Sequence, residues 1–155
     1  MLAPEELKKI YLFENLTTQE IEVVLPVIQE KKIVSGDYIF DEGSHAASLF
    51  VILNGTVDIL KKGRKGEDQA VIELAAGSHF GEMAFLDYAK RAASAMAKDN
   101  VVLLEIQYTE LDRIIHEHPE IGLKFFKAFT QVLCRRIRHT TTSLSALKEL
   151  RLRNL

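Results

Sequence analysis

The 155-residue chain has little of what most enzymes and secreted proteins rely on. It holds one cysteine, Cys134, which excludes an internal disulfide framework or a cysteine-built metal cluster and points to a reduced, cytoplasmic setting. Long apolar runs are absent: stretches such as Leu49–Leu53 fall far short of the roughly 20 residues a membrane span needs. Met1–Ile10 carries Glu5, Glu6, Lys8 and Lys9 where a secretory signal would be apolar. No Ser–His–acid order with a nucleophile elbow occurs, nor do the metal-ligand clusters that phosphodiester hydrolysis would use. His116 and His118 would face different sides of a helix, and His45 and His79 lack a close His-x-His pair. Cys134 reads as a small buried apolar residue without an activating partner. The expectation is a protein without enzymatic activity or metal.

What is present suits one soluble globular domain: 47% hydrophobic, 27% charged and 8% aromatic residues. The net charge of −2 hides a division along the chain. Residues 1–119 hold 12 Lys/Arg against 20 Asp/Glu, and residues 120–155 hold 8 against 2. The basic end reads first as the solvated face of a long helix, with an acidic-partner or nucleic-acid tail as the alternative.

Pro4 suits a first helical position and Glu5 and Glu6 the positive end of the helix dipole. Thr17-Thr18-Gln19-Glu20 spells a capping box ahead of Ile21, Val24 and Leu25, and Pro26 ends that helix. From about residue 30 to 107 the texture is β: Lys31–Val34, Tyr38–Phe40, Leu49–Leu53, Thr56–Leu60, Ala70–Leu74, Ala93–Ala97 and Val101–Ile106. Asn54-Gly55 reads as a hairpin turn, and Lys61–Asp68 as an exposed loop. This spacing predicts an antiparallel sandwich or barrel. Helical periodicity returns over Thr109–His118, stops at Pro119, and then runs on from Glu120 for some thirty residues. Phe126, Thr130, Leu133, Ile137, Thr140, Leu144 and Leu147 follow heptad spacing, which suits either a helix packed on its own barrel or a coiled-coil partner surface. The length, more than a small barrel can cover, favours the second and predicts a helix-mediated homodimer.

The segment most informative about chemistry is Gly77–Ala97. Phe80–Leu86 interrupts the strand texture with one turn's worth of helix formers. Gly81 at its mouth lacks the Cβ that would block close backbone approach, and the first N–H groups of the short helix outline an anion site. Arg91 stands among Ala92, Ala93, Ser94 and Ala95 as though something bulky sits beside it, and a guanidinium clamps phosphate oxygens well. Glu82 is a suitable acceptor for a sugar hydroxyl. The plainer alternative is that Glu82 and Arg91 pair as a rim salt bridge while Gly81 serves a tight turn.

FGEMAFLDYAKRAASA resembles the phosphate-binding cassette of cyclic nucleotide-binding domains, found in Crp/Fnr-type catabolite activators, cyclic-nucleotide-dependent kinases and cyclic-nucleotide-gated channels. The likeness extends from Leu12–Leu16 through Val34–Ile39, Glu42-Gly43 and Asn54-Gly55 into the C-terminal helix. It implies a mainly β fold: an eight-stranded antiparallel, jelly-roll-like β-roll over 30–108 with its cassette at 80–95. N-terminal helices (1–29) and C-terminal helices including a long dimerisation helix (109–155) would flank it. It implies that Gly81, Met83, Ala84, Arg91 and Ala92 surround a cyclic phosphate and that Glu82 accepts the ribose 2′-hydroxyl. Ala92 stands where guanine-selective sites commonly carry threonine, which leans toward cAMP over cGMP. Arg136, Thr140 and Thr141 match an arginine followed four and five residues later by hydroxyl residues that reach the adenine. The implied function is a regulatory sensor, without cofactor, whose partners are a cyclic nucleotide and a second copy of itself. No membrane contact is expected. Lys90 departs from the proline common before the arginine, so the loop is expected to be less rigid. Nothing follows Leu155 where the activators continue into a helix-turn-helix, so direct DNA binding is not expected of this chain. The alternatives are a dimerisation or docking module that binds no nucleotide, and the ligand domain of a truncated DNA-binding regulator.

Overall fold

The seven β runs read from the sequence, together with a two-residue strand, give eight strands: β1 Gln29–Ile33, β2 Tyr38–Phe40, β3 Ser48–Asn54, β4 Val57–Lys62, β5 Asp68–Leu74, β6 His79–Phe80, β7 Ser94–Ala97 and β8 Val101–Gln107. The computed structural model describes residues 2–155. The strands form two four-stranded sheets in the orders β1-β8-β3-β6 and β2-β7-β4-β5. All pairings are antiparallel. This is the expected eight-stranded roll, with jelly-roll order, flanked by helices. Between β6 and β7 lies a short helix, α3 in the chain-order numbering, at Met83–Asp87.

Two sequence expectations are corrected here. The Asn54-Gly55 turn does not close a hairpin, because β3 and β4 lie in different sheets. Gly55 does take a positive φ of 89°, but the turn carries the chain across the roll. A Cβ on Gly55 would stand 2.6 Å from the Asn100 carbonyl oxygen, so the glycine admits the β7–β8 turn. The hairpin is β4–β5, with Lys62 opposite Asp68. Lys61, Lys62 and Asp68, expected in a loop, are therefore strand residues, exposed but paired. The two-residue strand β6 is too short to leave a periodic signal in the sequence.

The helices follow their caps. α1 spans Pro4–Leu7 and α2 Thr18–Val24. At α2 the Thr17 hydroxyl accepts from the Glu20 N–H (3.2 Å) while Glu20 Oε2 accepts from the Thr17 N–H (2.8 Å). Pro26 falls in a 3-10 turn, Leu25–Val27, that ends the segment. α4 spans Tyr108–Glu117 and α5 Pro119–Arg153, with Pro119 in the first turn of α5, where its missing N–H is no loss.

β3 is buried on both faces. Phe50 and Ile52 join Val57, Leu74, Phe80, Ala95, Ala97 and Leu103 between the sheets. Leu49 and Val51 point the other way, with Leu104 and Ile106, under Phe13, Ile21, Ile114, Phe125 and Phe129 of the helices. This double burial explains why Leu49–Leu53 is continuously apolar. α5, about 50 Å long at 1.5 Å per residue, outruns this cover, and residues 141–155 are all exposed. Cys134 is also exposed, not buried as the sequence suggested: the covered face of this stretch of α5 carries Leu133 and Arg136 instead. Among the described residues no helix is long and apolar enough to cross a membrane.

Candidate functional site

The chain turns sharply at Gly81 (φ 84°) after β6 and enters α3 with Glu82 as its N-cap residue. Lys90 and its neighbours leave α3 without regular structure, yet the Arg91 backbone is tied to the start of the roll. Its N–H donates to the Ser44 carbonyl (3.0 Å) and its carbonyl accepts from the Gly43 N–H (2.8 Å). These bonds hold the loop where a proline is missing. Ser94, Ala95 and Ala97 belong to β7, and Ala95 and Ala97 pack between the sheets. Only Ala92 and Ala93 of the small-residue run face the cavity.

All nine residues singled out from the sequence line one cavity of about 350 Å³: Gly81, Glu82, Met83, Ala84, Arg91, Ala92, Arg136, Thr140 and Thr141. Phe40, Ile59, Ile72, Leu74, Leu133 and Ile137 complete its apolar wall. The cavity therefore lies between the inner face of the β4–β5 sheet, α3 and the middle of α5. Its volume is at the small end of the range for ligand sites.

The charged groups are arranged differently from the salt-bridge alternative. Arg91 is buried, 6% exposed, and among the described residues it makes no ion pair with a carboxylate. Its Nη1 donates to the Gly81 carbonyl (3.0 Å) and to the Tyr108 hydroxyl (3.0 Å), and its Nη2 donates to the Ser48 carbonyl (2.7 Å). The guanidinium sits 4.0 Å over the Phe40 ring. Its Nε is buried without a partner, and Nη2 has a second hydrogen beyond the one Ser48 receives. Burial pushes the Arg91 pKa down, opposed by Tyr108, Glu82 and Glu105.

Glu82 pairs instead with Arg136 on α5: Arg136 Nη1 donates to Glu82 Oε1 at 3.0 Å. Nη2 of the same arginine donates to the His79 carbonyl (2.6 Å). Glu82 Oε2 is buried and unpartnered. Burial lifts the Glu82 pKa above the ordinary carboxylate range, against the pull of Arg136 and Arg91. The Thr140 and Thr141 hydroxyls donate to the Arg136 and Ile137 carbonyls one turn back (2.9 Å each). With their protons so placed, both hydroxyl oxygens keep acceptor capacity on residues that line the cavity.

Three contributors are absent from the sequence reading: Tyr108, the Phe40 ring and the Ser48 carbonyl. No local pattern marks them, because each meets Arg91 only through the folding of strands far apart in the chain. Among the described residues no cluster of three or more possible metal ligands exists.

His79 lies behind the cavity, 1% exposed, against Phe129 with ring centroids 5.4 Å apart. Burial, helped by Arg136 and Arg135, lowers its pKa from 6.5 to about 4. The folded state therefore resists protonating it, and the stability it contributes, full above pH 6.5, is lost as pH falls from 6.5 through about 4. The loss amounts to about 3 kcal/mol. Glu82, its pKa raised, acts in the opposite sense, contributing most at low pH and losing that contribution as pH rises through its folded-state pKa. Thermal melts of His79→Phe should lack the acid-side decline that the parent chain shows between pH 6.5 and 4; matching declines in both would reject this origin.

Comparison with known proteins places the arrangement. The sequence pattern of the cyclic nucleotide-binding domain matches residues 30–118. The cyclic AMP receptor protein of Thermus thermophilus is 27% identical over 136 residues, 88% of this chain and 61% of that protein. The cAMP-dependent protein kinase regulatory subunit of Blastocladiella emersonii is 27% identical over 121 residues, 78% of this chain and 30% of that protein. The chain thus spans less than two thirds of either relative. A solved cyclic nucleotide-binding domain from Methylobacillus flagellatus superposes with a TM-score of 0.79 at 24% identity, covering 90% of this chain and 78% of that one.

Proposed function

This chain belongs to the cyclic nucleotide-binding domain family, and from that premise we propose that it is a cAMP sensor that reports occupancy through its C-terminal helices. One observation carries the reading: a buried donor, Arg91 Nε, and a buried acceptor, Glu82 Oε2, both stand without partners on residues lining one cavity. Unpaired buried polar atoms are costly. A cyclic phosphate would satisfy the first and a ribose 2′-hydroxyl the second, while backbone groups of Gly81, Met83, Ala84 and Ala92 would surround the phosphate. The absence of a carboxylate partner leaves the Arg91 charge for an anion.

The choice of cAMP over cGMP rests on hydrogen-bond polarity. Thr140 and Thr141 present acceptors, which suit the exocyclic amine of adenine and oppose the 6-oxo group of guanine. The cavity has room for one mononucleotide. Titration calorimetry with cAMP, cGMP and a cyclic dinucleotide is the test: cAMP should bind most tightly and the dinucleotide not at all. A docking module without nucleotide binding draws support from the protein acceptors that already hold Arg91 and from the Glu82–Arg136 pair; that reading requires no heat with any of the three.

A second copy of the chain is the proposed partner on α5. Ile137, Leu144 and Leu147 of the heptad stripe are 62%, 51% and 63% exposed in the single chain, apolar surface that packing against a second helix would bury. Light scattering on the Leu144→Asp, Leu147→Asp double variant should give the mass of a monomer where the parent gives a dimer. Equal masses would exclude this seam.

A further inference from the structure

We propose that Tyr108 is the positioning residue of the anion site, holding Arg91 aimed into the cavity and making the first turn of α4 sensitive to whether a phosphate is bound there. The inference rests on the reading of the cavity as a cyclic-nucleotide site and goes beyond it.

Tyr108 is where roll and helices join: β8 ends at Gln107 and Tyr108 opens α4. Three attachments fix it. Its backbone N–H donates to the Ala47 carbonyl at 2.8 Å. Its hydroxyl donates to the Gly81 carbonyl and accepts from Arg91 Nη1. Its ring packs on Phe85 of α3, centroids 5.2 Å apart, and Phe85 in turn stacks on Phe126 of α5 at 6.4 Å. One side chain therefore touches the cassette turn, the cassette arginine and the cassette helix, while its backbone begins the segment that leads to α5.

The chemistry of a phenol suits the task. A carboxylate in this position would orient the guanidinium but offset its charge, weakening the site's attraction for phosphate. A neutral hydroxyl that has already donated its proton to Gly81 offers Arg91 an acceptor without opposing charge. Burial raises the pKa of Tyr108, keeping the hydroxyl protonated. With Nη1 held by Tyr108 and Gly81 and Nη2 by Ser48, the guanidinium plane is fixed rather than searching rotamers, and its Nε–H is left without a protein partner. That preorganisation lowers the entropy lost on binding. Coupling is reciprocal: if Tyr108 helps to aim Arg91, a phosphate on Arg91 helps to hold Tyr108 and the start of α4.

Tyr108→Phe isolates the hydroxyl, since the ring keeps its contact with Phe85. In the full chain, cAMP should bind Tyr108→Phe about tenfold more weakly than the parent, the low end for a hydrogen bond to a charged group. Amide hydrogen exchange supplies a readout that a merely structural role would not move. At saturating cAMP the parent should gain protection over the first turn of α4, and Tyr108→Phe should not. If the parent binds cAMP and the variant matches it in affinity, or gains the same α4 protection at saturation, this inference is overturned while the reading of the site stands. A parent chain that binds no cyclic nucleotide overturns both.

Discussion

Arg91→Ala will weaken cAMP binding by one to two orders of magnitude in calorimetry, and Arg91→Lys will not restore it. Charge-assisted hydrogen bonds of this kind contribute roughly 1.5–3 kcal/mol each, and 1.4 kcal/mol is tenfold in affinity. Lysine keeps the charge but not the planar set of donors. At this position a single ammonium would have to serve the Gly81 carbonyl, the Ser48 carbonyl, the Tyr108 hydroxyl and the ligand together. The cost to the ligand-free fold is smaller, because removing a buried cation also removes its desolvation penalty, which among the described residues no direct carboxylate ion pair offsets. A parent and an Arg91→Ala chain with equal affinities would dismiss Arg91 as the phosphate ligand.

Glu82→Gln carries the second large effect. The amide keeps the shape but lacks the charge, so the ribose hydroxyl loses a charge-assisted acceptor and Arg136 loses its ion-pair partner across to α5. We expect cAMP affinity to fall roughly tenfold or more. In the parent, affinity should fall on acidification, since Glu82, held above the usual carboxylate range by burial, becomes protonated as pH drops through that raised value. Glu82→Gln should bind with little pH dependence over the same interval. A parent whose cAMP affinity is flat with pH, or a variant that retains the parent's slope, would remove Glu82 from the role. Discrimination against 2′-deoxy-cAMP supplies a further check: it should be strong in the parent and weak in the variant.

The two arginines illustrate how tertiary contacts redistribute what a sequence suggests. The stretch from Gly81 to Arg91 contains a carboxylate and a guanidinium close in sequence, and that proximity by itself suggests a pair. In the structure Glu82 reaches α5, 54 residues away in sequence at Arg136, while Arg91 turns inward to Gly81, Ser48 and Tyr108. The same redistribution affects the alanine run, half of which packs into β7, and the Asn54-Gly55 turn, whose glycine conformation is legible in the sequence while its strand partners are not.

Some features depend on a few neighbouring residues, and these are legible in the amino-acid sequence itself. They include the Thr17–Glu20 capping box, the proline-set ends of α2 and α4, seven of the eight strands, the need for glycine at Gly81 and Gly55, and nine of the residues that line the cavity. Each is decided by local backbone sterics, by hydrogen-bond competition within a turn, or by a short apolar period or motif. The sheet order, the β4–β5 hairpin, the burial of Arg91 over Phe40, the use of Tyr108 as its neutral anchor and the exposure of Cys134 come from the tertiary structure alone. They depend on which faces of distant strands and helices bury one another, and side-chain period within a strand is the same whichever neighbour it pairs with.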